Sequence, residues 1–299
     1  MPTTTPTGAE TTETLFDYER WESRLPELEA RYRSNRPYPH IHLDGLLDPE
    51  LAQRLEAAFP APDAASWIQY KHFNENKLGN THREAFPEII GRVVDELGSP
   101  RFVAWLSKLT GIAGLMPDPT LEGGGMHQTE RGGFLNLHAD FTMHHHKTHW
   151  RRRCNLILFL NEGWEETWGG ALELWDREMK RCEAKVLPLL NHAVIFNTDD
   201  DSFHGYPDAI ECPETVTRKS LALYYYTEET DPSYRGRSTA YRARPGEGWK
   251  APLIWLDKEA VALYSTLKRR LGLSDDFASR VLGLLSRRKK SDKTGGKTS

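Results

Sequence analysis

Five of the chain's twelve histidines fall within twelve positions, from His138 to His149, in the stretch "FLNLHADFTMHHHKTHWRRRCNLILFLN". His138 stands two residues before an acid, Asp140. On an extended segment alternate side chains share a face. The imidazole and the carboxylate therefore project together, with Ala139 on the opposite side, and form two-thirds of a metal-binding face. The third ligand must come from a distant stretch. His204, in "DDSFHGYP", is the best candidate, because it follows the strand-like "HAVIFN" and antiparallel strands can bring two such distant points together.

Two histidines and one carboxylate on one face of an octahedron are the ligand set of non-haem Fe(II) oxygenases. Three positions then stay open, two for a chelating cosubstrate and one for dioxygen. Further along, in "TRKSLALYYYT", Arg218 and Ser220 are again two apart on an expected strand. A guanidinium fork beside a hydroxyl suits a carboxylate, such as the distal one of 2-oxoglutarate.

The ordered set "GGFLNLHADF", "RCNLILFLN", "WGGALELWD", "AVIFNTDDDSFHG" and "RKSLALYYY" resembles the 2-oxoglutarate/Fe(II)-dependent oxygenases of the prolyl-4-hydroxylase-like group. The resemblance covers roughly residues 123–228, and more loosely "PYPHIHLDGLLDPELAQRL". It implies a double-stranded β-helix, or jelly roll, around iron. It maps the metal ligands onto His138, Asp140 and His204, and the 2-oxoglutarate anchor onto Arg218 with Ser220 in support. One departure stands out: where related prolyl hydroxylases often carry a tyrosine that helps hold 2-oxoglutarate, this chain has Phe159, and Asn155 on the same strand face is the substitute. The implied activity is hydroxylation of an unactivated C–H bond of a small molecule or amino-acid-type substrate. Fe(II), 2-oxoglutarate and O2 are required, ascorbate is a stimulant, and succinate and CO2 are the co-products. Asp140 favours hydroxylation over halogenation, since related halogenases have a small residue there; desaturation and demethylation stay open. The alternatives are a non-catalytic jelly-roll module binding a sugar or peptide, and a cupin-like metal site without 2-oxoglutarate, against which Arg218 argues.

The elements that must position these groups follow from pattern. From about Gly111 to Thr227 short apolar runs alternate with turn residues, as in a sandwich or barrel. Before it, Leu15 to Ser34 reads as a surface helix broken near Pro26. A strand is expected at His40 to Leu43, and a helix capped by Asp48 with Pro49 at its first position. Phe86, Ile89, Ile90, Val93, Val94 and Leu97 share a helical face, giving a helix over 84–97, and a second runs over 100–109. Residues 231–252 read as loop. Two helices follow, one with Val261, Tyr264, Leu267 and Leu271 on a face, the other after Ser274. The fold class is mainly β with flanking helices (α+β). Its parts are a disordered N-terminus (1–14), a helical support region (15–110), a jelly-roll core (111–230), a C-terminal loop and helices (231–286) and a basic tail (287–299).

Bulk properties narrow the partners. A net charge of −4 argues against nucleic-acid binding by the whole molecule, and the basic tail reads as solvated. Three cysteines without a Cys-x-x-Cys pair point to a reducing compartment, and no secretory signal or membrane-spanning run is present, so the cytoplasm is expected. The partner is a small-molecule or peptidyl substrate, anionic if one of Arg151, Arg152 and Arg153 enters the cavity; an oligomer is compatible. His127 is a candidate pocket-lining residue. The run His144, His145, His146 and His149 reads as a mobile loop at the site's mouth rather than a second metal site.

Overall fold

The computed structural model describes residues 14–257. The expected helices around Val261 and after Ser274, the basic tail and all but the last residue of the 1–14 segment lie outside the described residues.

The first 110 residues supply five helices: α1 (Tyr18–Ser23), α2 (Leu25–Ser34), α3 (Pro49–Ala57), α4 (Glu88–Leu97) and α5 (Pro100–Thr110). The break between α1 and α2 falls at Arg24, with Pro26 in the first turn of α2 where its missing N–H costs nothing. These helices are not superficial, since Trp21, Leu28 and Tyr32 are buried. Asp48 caps α3 by accepting from the backbone of Glu50 and Leu51. The helix read as starting at Glu84 starts at Glu88 instead. Pro87 disfavours helical geometry in the residue before it, so 83–85 form a separate 3-10 turn. From there Ile90, Val93, Val94 and Leu97 are buried, each contributing roughly 1.5–3 kcal/mol.

The stretch 15–110 is not helical throughout. It also gives β1 (His40–Asp44), β2 (Ile68–Lys71) and β3 (Glu75–Asn80). The remaining strands are β4 (Met116–Pro117), β5 (Gly125–Thr129), β6 (Phe134–Ala139), β7 (Trp150–Phe159), β8 (Leu172–Trp175), β9 (Cys182–Val186), β10 (His192–Asn197), β11 (His204–Tyr206), β12 (Arg218–Glu228) and β13 (Ala240–Tyr241). They form one antiparallel sheet in the order β1-β10-β7-β12-β5-β3-β6-β11-β8-β9, which curls into a nearly closed jelly-roll barrel. β2 pairs with β3, β4 with β12 and β13 with β6. The fold is thus the mainly β, jelly-roll architecture with supporting helices that the sequence implies.

Two faces of the long central strands divide the labour. On β7, Leu156 and Leu158 pack outward in the main core with Ile90, Val93, Phe102 and Leu106. On β12, Leu221, Leu223 and Tyr225 join them. The alternate residues, Asn155 and Ile157 on β7 and Arg218, Ser220, Ala222 and Tyr224 on β12, line the barrel's cavity. Burial on both faces explains why "NLILFL" shows no polar alternation.

The segment read as loop after residue 231 is partly ordered against the barrel mouth. β13 pairs Tyr241 with His138 and Ala240 with Ala139. Residues 251–257 are helical and end on Asp257. That carboxylate accepts from the Phe73 backbone (3.1 Å) and the Asn74 amide (2.6 Å), and lies 2.8 Å from His72 Nδ1. The other ring nitrogen of His72 is 2.9 Å from Glu75 Oε1. Burial opposes the imidazolium, but Glu75 and Asp257 outweigh it and raise the His72 pKa above its ordinary 6.5. A group with a raised native pKa contributes its full stability below the unfolded value and loses it as pH rises through the native one. Amide-exchange protection of residues 251–257 should therefore fall as pH climbs past the raised pKa, and His72→Asn should flatten that dependence.

Candidate active site

His138 and Asp140 leave β6 and its following residue on one face, and His204 opens β11 directly opposite His138 in the antiparallel register. Each of the three side chains offers one ligand atom, and these atoms lie within 4.8 Å of one another. Among the described residues no other group of three His, Cys, Asp or Glu side chains converges in this way. Both imidazoles are aimed by the same device: Nδ1 of His138 lies 2.9 Å from the Asn136 carbonyl, and Nδ1 of His204 lies 2.9 Å from the Ser202 carbonyl. A carbonyl can only accept, so each ring carries its proton on Nδ1 and turns the Nε2 lone pair toward the common point. Each Nε2 is 3.5 Å from an oxygen of Asp140. Burial lowers the His204 pKa to about 4, which keeps the ring neutral at neutral pH. Burial alone would raise the Asp140 pKa, yet Arg152 and the two imidazoles hold it well below the ordinary carboxylate value. Two imidazole Nε2 atoms and a carboxylate turned to one point are a donor set that fits a divalent cation.

Asp140 is held from behind. Asn155 donates to its Oδ2 (2.8 Å) and accepts from Arg152 Nε (2.9 Å), while Arg152 Nη2 lies 2.9 Å from the same Oδ2. The amide read as a 2-oxoglutarate ligand thus has its oxygen and one N–H engaged in fixing the carboxylate. Of the three arginines, Arg152 is the one inside the cavity; its guanidinium carbon lies 3.4 Å from the centre of the Tyr224 ring. Strict alternation would group Arg153 with Asn155. A bulge in β7 leaves Arg153 unpaired between the Tyr225–Cys154 and Tyr226–Arg152 pairs, which breaks the period and turns Arg152 inward. Arg151 and Arg153 instead reach Glu229 and Thr227.

Arg218 is only 4% exposed. Its Nε donates to the Gly170 carbonyl (2.8 Å), and its guanidinium lies over the rings of Tyr206 (4.1 Å) and Phe159 (4.9 Å). Gly170, at φ +72°, leaves room for this: a Cβ there would come 3.2 Å from Arg218 Cδ. No described carboxylate pairs with Arg218, and burial lowers its pKa. A buried guanidinium without a counter-charge is a site prepared for an anion. Ser220 lines the cavity beside it.

The cavity that holds these groups measures about 190 Å³. His127 also lines it, and burial takes its pKa down to about 3. Sequence reasoning missed several polar lining residues. Glu75 and Lys77 sit on β3, which the polar text "ENKLGN" hides. Tyr206 lies two residues past His204 and on the same face, a spacing that would have found it. Tyr241 belongs to the two-residue β13, too short to leave a pattern; its ring lies 5.3 Å from that of His138.

His144 is not a mobile-loop residue. It is 1% exposed, lies 3.0 Å from Glu122 and 3.4 Å from Asp118, and packs on Tyr226 and Trp150. His145 and His146 are exposed beside Glu122.

Residues 124–226 match the profile described as the 2OG-Fe(II) oxygenase superfamily. No curated protein matches the chain. Among solved structures, a prolyl-4-hydroxylase from Pseudomonas putida superposes with a TM-score of 0.50 at 17% identity, covering 67% of this chain and 99% of its own. A prolyl hydroxylase from Trichoplax adhaerens, solved with a hypoxia-inducible-factor peptide fragment, gives 0.52 at 14% identity, covering 73% and 96%. At these identities the two structures speak for the fold.

Proposed function

We propose that this chain, whose residues 124–226 match the 2OG-Fe(II) oxygenase superfamily profile, is a 2-oxoglutarate-dependent dioxygenase that hydroxylates an unactivated C–H bond in a small, amino-acid-type molecule. The observation that carries this reading is the convergence of His138, Asp140 and His204 in a cavity that also holds Arg218, a buried cation with no carboxylate partner among the described residues. Fe(II) with 2-oxoglutarate and O2 supplies the oxidising chemistry, with succinate and CO2 released.

In this reading the Nε2 atoms of His138 and His204 and the Asp140 carboxylate hold the iron. Arg218 grips the distal carboxylate of 2-oxoglutarate, its fork matched to two oxygens, and Ser220 supports it. Arg152 and Asn155 keep Asp140 ionised and fix its rotamer, a positioning task. Phe159, fully buried, packs its ring against the Arg218 guanidinium and offers the cosubstrate no hydrogen bond. The enclosing walls exclude water from the reacting carbon. β13 covers the free edge of β6 beside His138, which favours a small molecule over a strand of peptide laid along that edge.

The test is succinate formation by purified protein supplied with Fe(II), 2-oxoglutarate, ascorbate and O2 and screened against small carboxylic and amino acids. Iron- and oxygen-dependent succinate release, raised by a substrate that gains one oxygen atom, is expected. A protein indifferent to iron and 2-oxoglutarate would instead be the non-catalytic binding module.

A further inference from the structure

One wall of the cavity, contributed by β3, has no part in the oxygenase chemistry described above. Glu75 and Lys77 are two residues apart on this strand, share a face and both line the cavity. Lys77 Nζ lies 3.1 Å from Glu75 Oε2 and 5.8 Å from the centre of the Tyr70 ring. Its side chain is 16% exposed, and it stands in the field of the phenols of Tyr206, Tyr224 and Tyr241. An ammonium has three donors, and Glu75 takes one. Glu75 itself is shared, because its other oxygen is held by His72.

The charges lining the cavity do not balance. Lys77, Arg152 and Arg218 are cations, Glu75 and Asp140 are carboxylates, burial keeps His127 neutral, and imidazoles enter a metal site as neutral ligands. Loading the site adds a dication and the dianion 2-oxoglutarate, which cancel. One positive charge is left over in a buried space, where an unpaired charge is costly. Arg218 is satisfied by 2-oxoglutarate. The terminal nitrogens of Arg152 make no hydrogen bond, but its guanidinium lies over the Tyr224 and Phe141 rings (3.4 and 4.7 Å), with Nε on Asn155 and Nη2 beside Asp140. The ammonium with unused donors is Lys77.

We propose that Lys77 anchors a carboxylate of the substrate, so that the molecule oxidised is a small monoanion or a zwitterion presenting its carboxylate to β3. This rests on the oxygenase reading and adds the substrate's charge and the residue that selects it. An uncharged amide of the same shape would leave the excess charge in place and be rejected.

The test uses the full chain loaded with Mn(II), a paramagnetic stand-in for Fe(II), and saturated with 2-oxoglutarate. The probe is carboxyl-labelled [13C]acetate, and the readout is the metal-induced relaxation enhancement of its carboxyl carbon. The enhancement should be present in the wild type, persist in Lys77→Arg, and fall about tenfold or more in Lys77→Met. The double variant Glu75→Gln/Lys77→Met strands no buried carboxylate, and it should lose the effect equally. An enhancement unchanged in Lys77→Met and in the double variant, or absent from the wild type while 2-oxoglutarate binds, overturns the proposal. Failure of 2-oxoglutarate to bind in the same metal-loaded sample is a separate result: it removes the oxygenase reading itself, and this inference with it.

Discussion

Arg218→Met should weaken 2-oxoglutarate binding roughly a hundredfold or more without lowering the protein's thermal midpoint. Removing one member of a buried, hydrogen-bonded charge pair costs about 3 kcal/mol or more. In the free protein the balance is different. The guanidinium is 4% exposed, carries no carboxylate partner among the described residues, and has a pKa lowered by burial. Its bond to the Gly170 carbonyl contributes about 1 kcal/mol, which relief from desolvating an unpaired cation offsets. Methionine keeps the packing against Tyr206 and Phe159. Calorimetric titration of the metal-loaded variant with 2-oxoglutarate, beside a melting curve, reads both quantities. A large loss of stability with unchanged affinity would make Arg218 a structural residue.

His204→Ala should abolish succinate formation, a loss of roughly a thousandfold or more, while the protein remains folded. His204 faces His138 across the β11–β6 pair and brings one of the three ligand atoms that converge among the described residues. Without it the ion keeps two protein ligands, one of them a carboxylate already shared with Arg152 and Asn155. The structural cost is small by comparison: the Ser202 carbonyl loses its donor, at about 1 kcal/mol, and the ring leaves a cavity beside Phe196. Metal content and succinate release should fall together, with far-ultraviolet dichroism unchanged. Full turnover in the variant would remove His204 from the iron site.

The groups most legible in the sequence were those whose spacing carries the geometry. His138 with Asp140, and Arg218 with Ser220, are two apart on strands, so period-two alternation alone places each pair on one face. β7 and β12 announced themselves through buried apolar runs on both faces. The parts that stayed hidden share a cause: their patterns run against the expected ones. β3 turns Glu75 and Lys77 inward because it lines a polar cavity, so its text resembles a surface loop. The inward turn of Arg152 depends on a bulge at Arg153, which shifts the period of β7 by one residue, and three identical side chains in a row give no sign of where such a shift falls. His144 sits in a histidine cluster that reads as solvated, yet its partners Asp118 and Glu122 lie on another segment and fasten it. The start of α4 moved because the steric effect of Pro87 overrides the apolar face that begins at Phe86.

The central claim is that three side chains create a ferrous site on which 2-oxoglutarate binding depends. Equilibrium titration of the wild-type chain under anaerobic conditions, with and without Fe(II), tests it most directly. The account predicts one Fe(II) per chain at the triad and one 2-oxoglutarate bound tightly only when that Fe(II) is present. Iron binding unaffected by His204→Ala, or 2-oxoglutarate affinity indifferent to the metal, would contradict it.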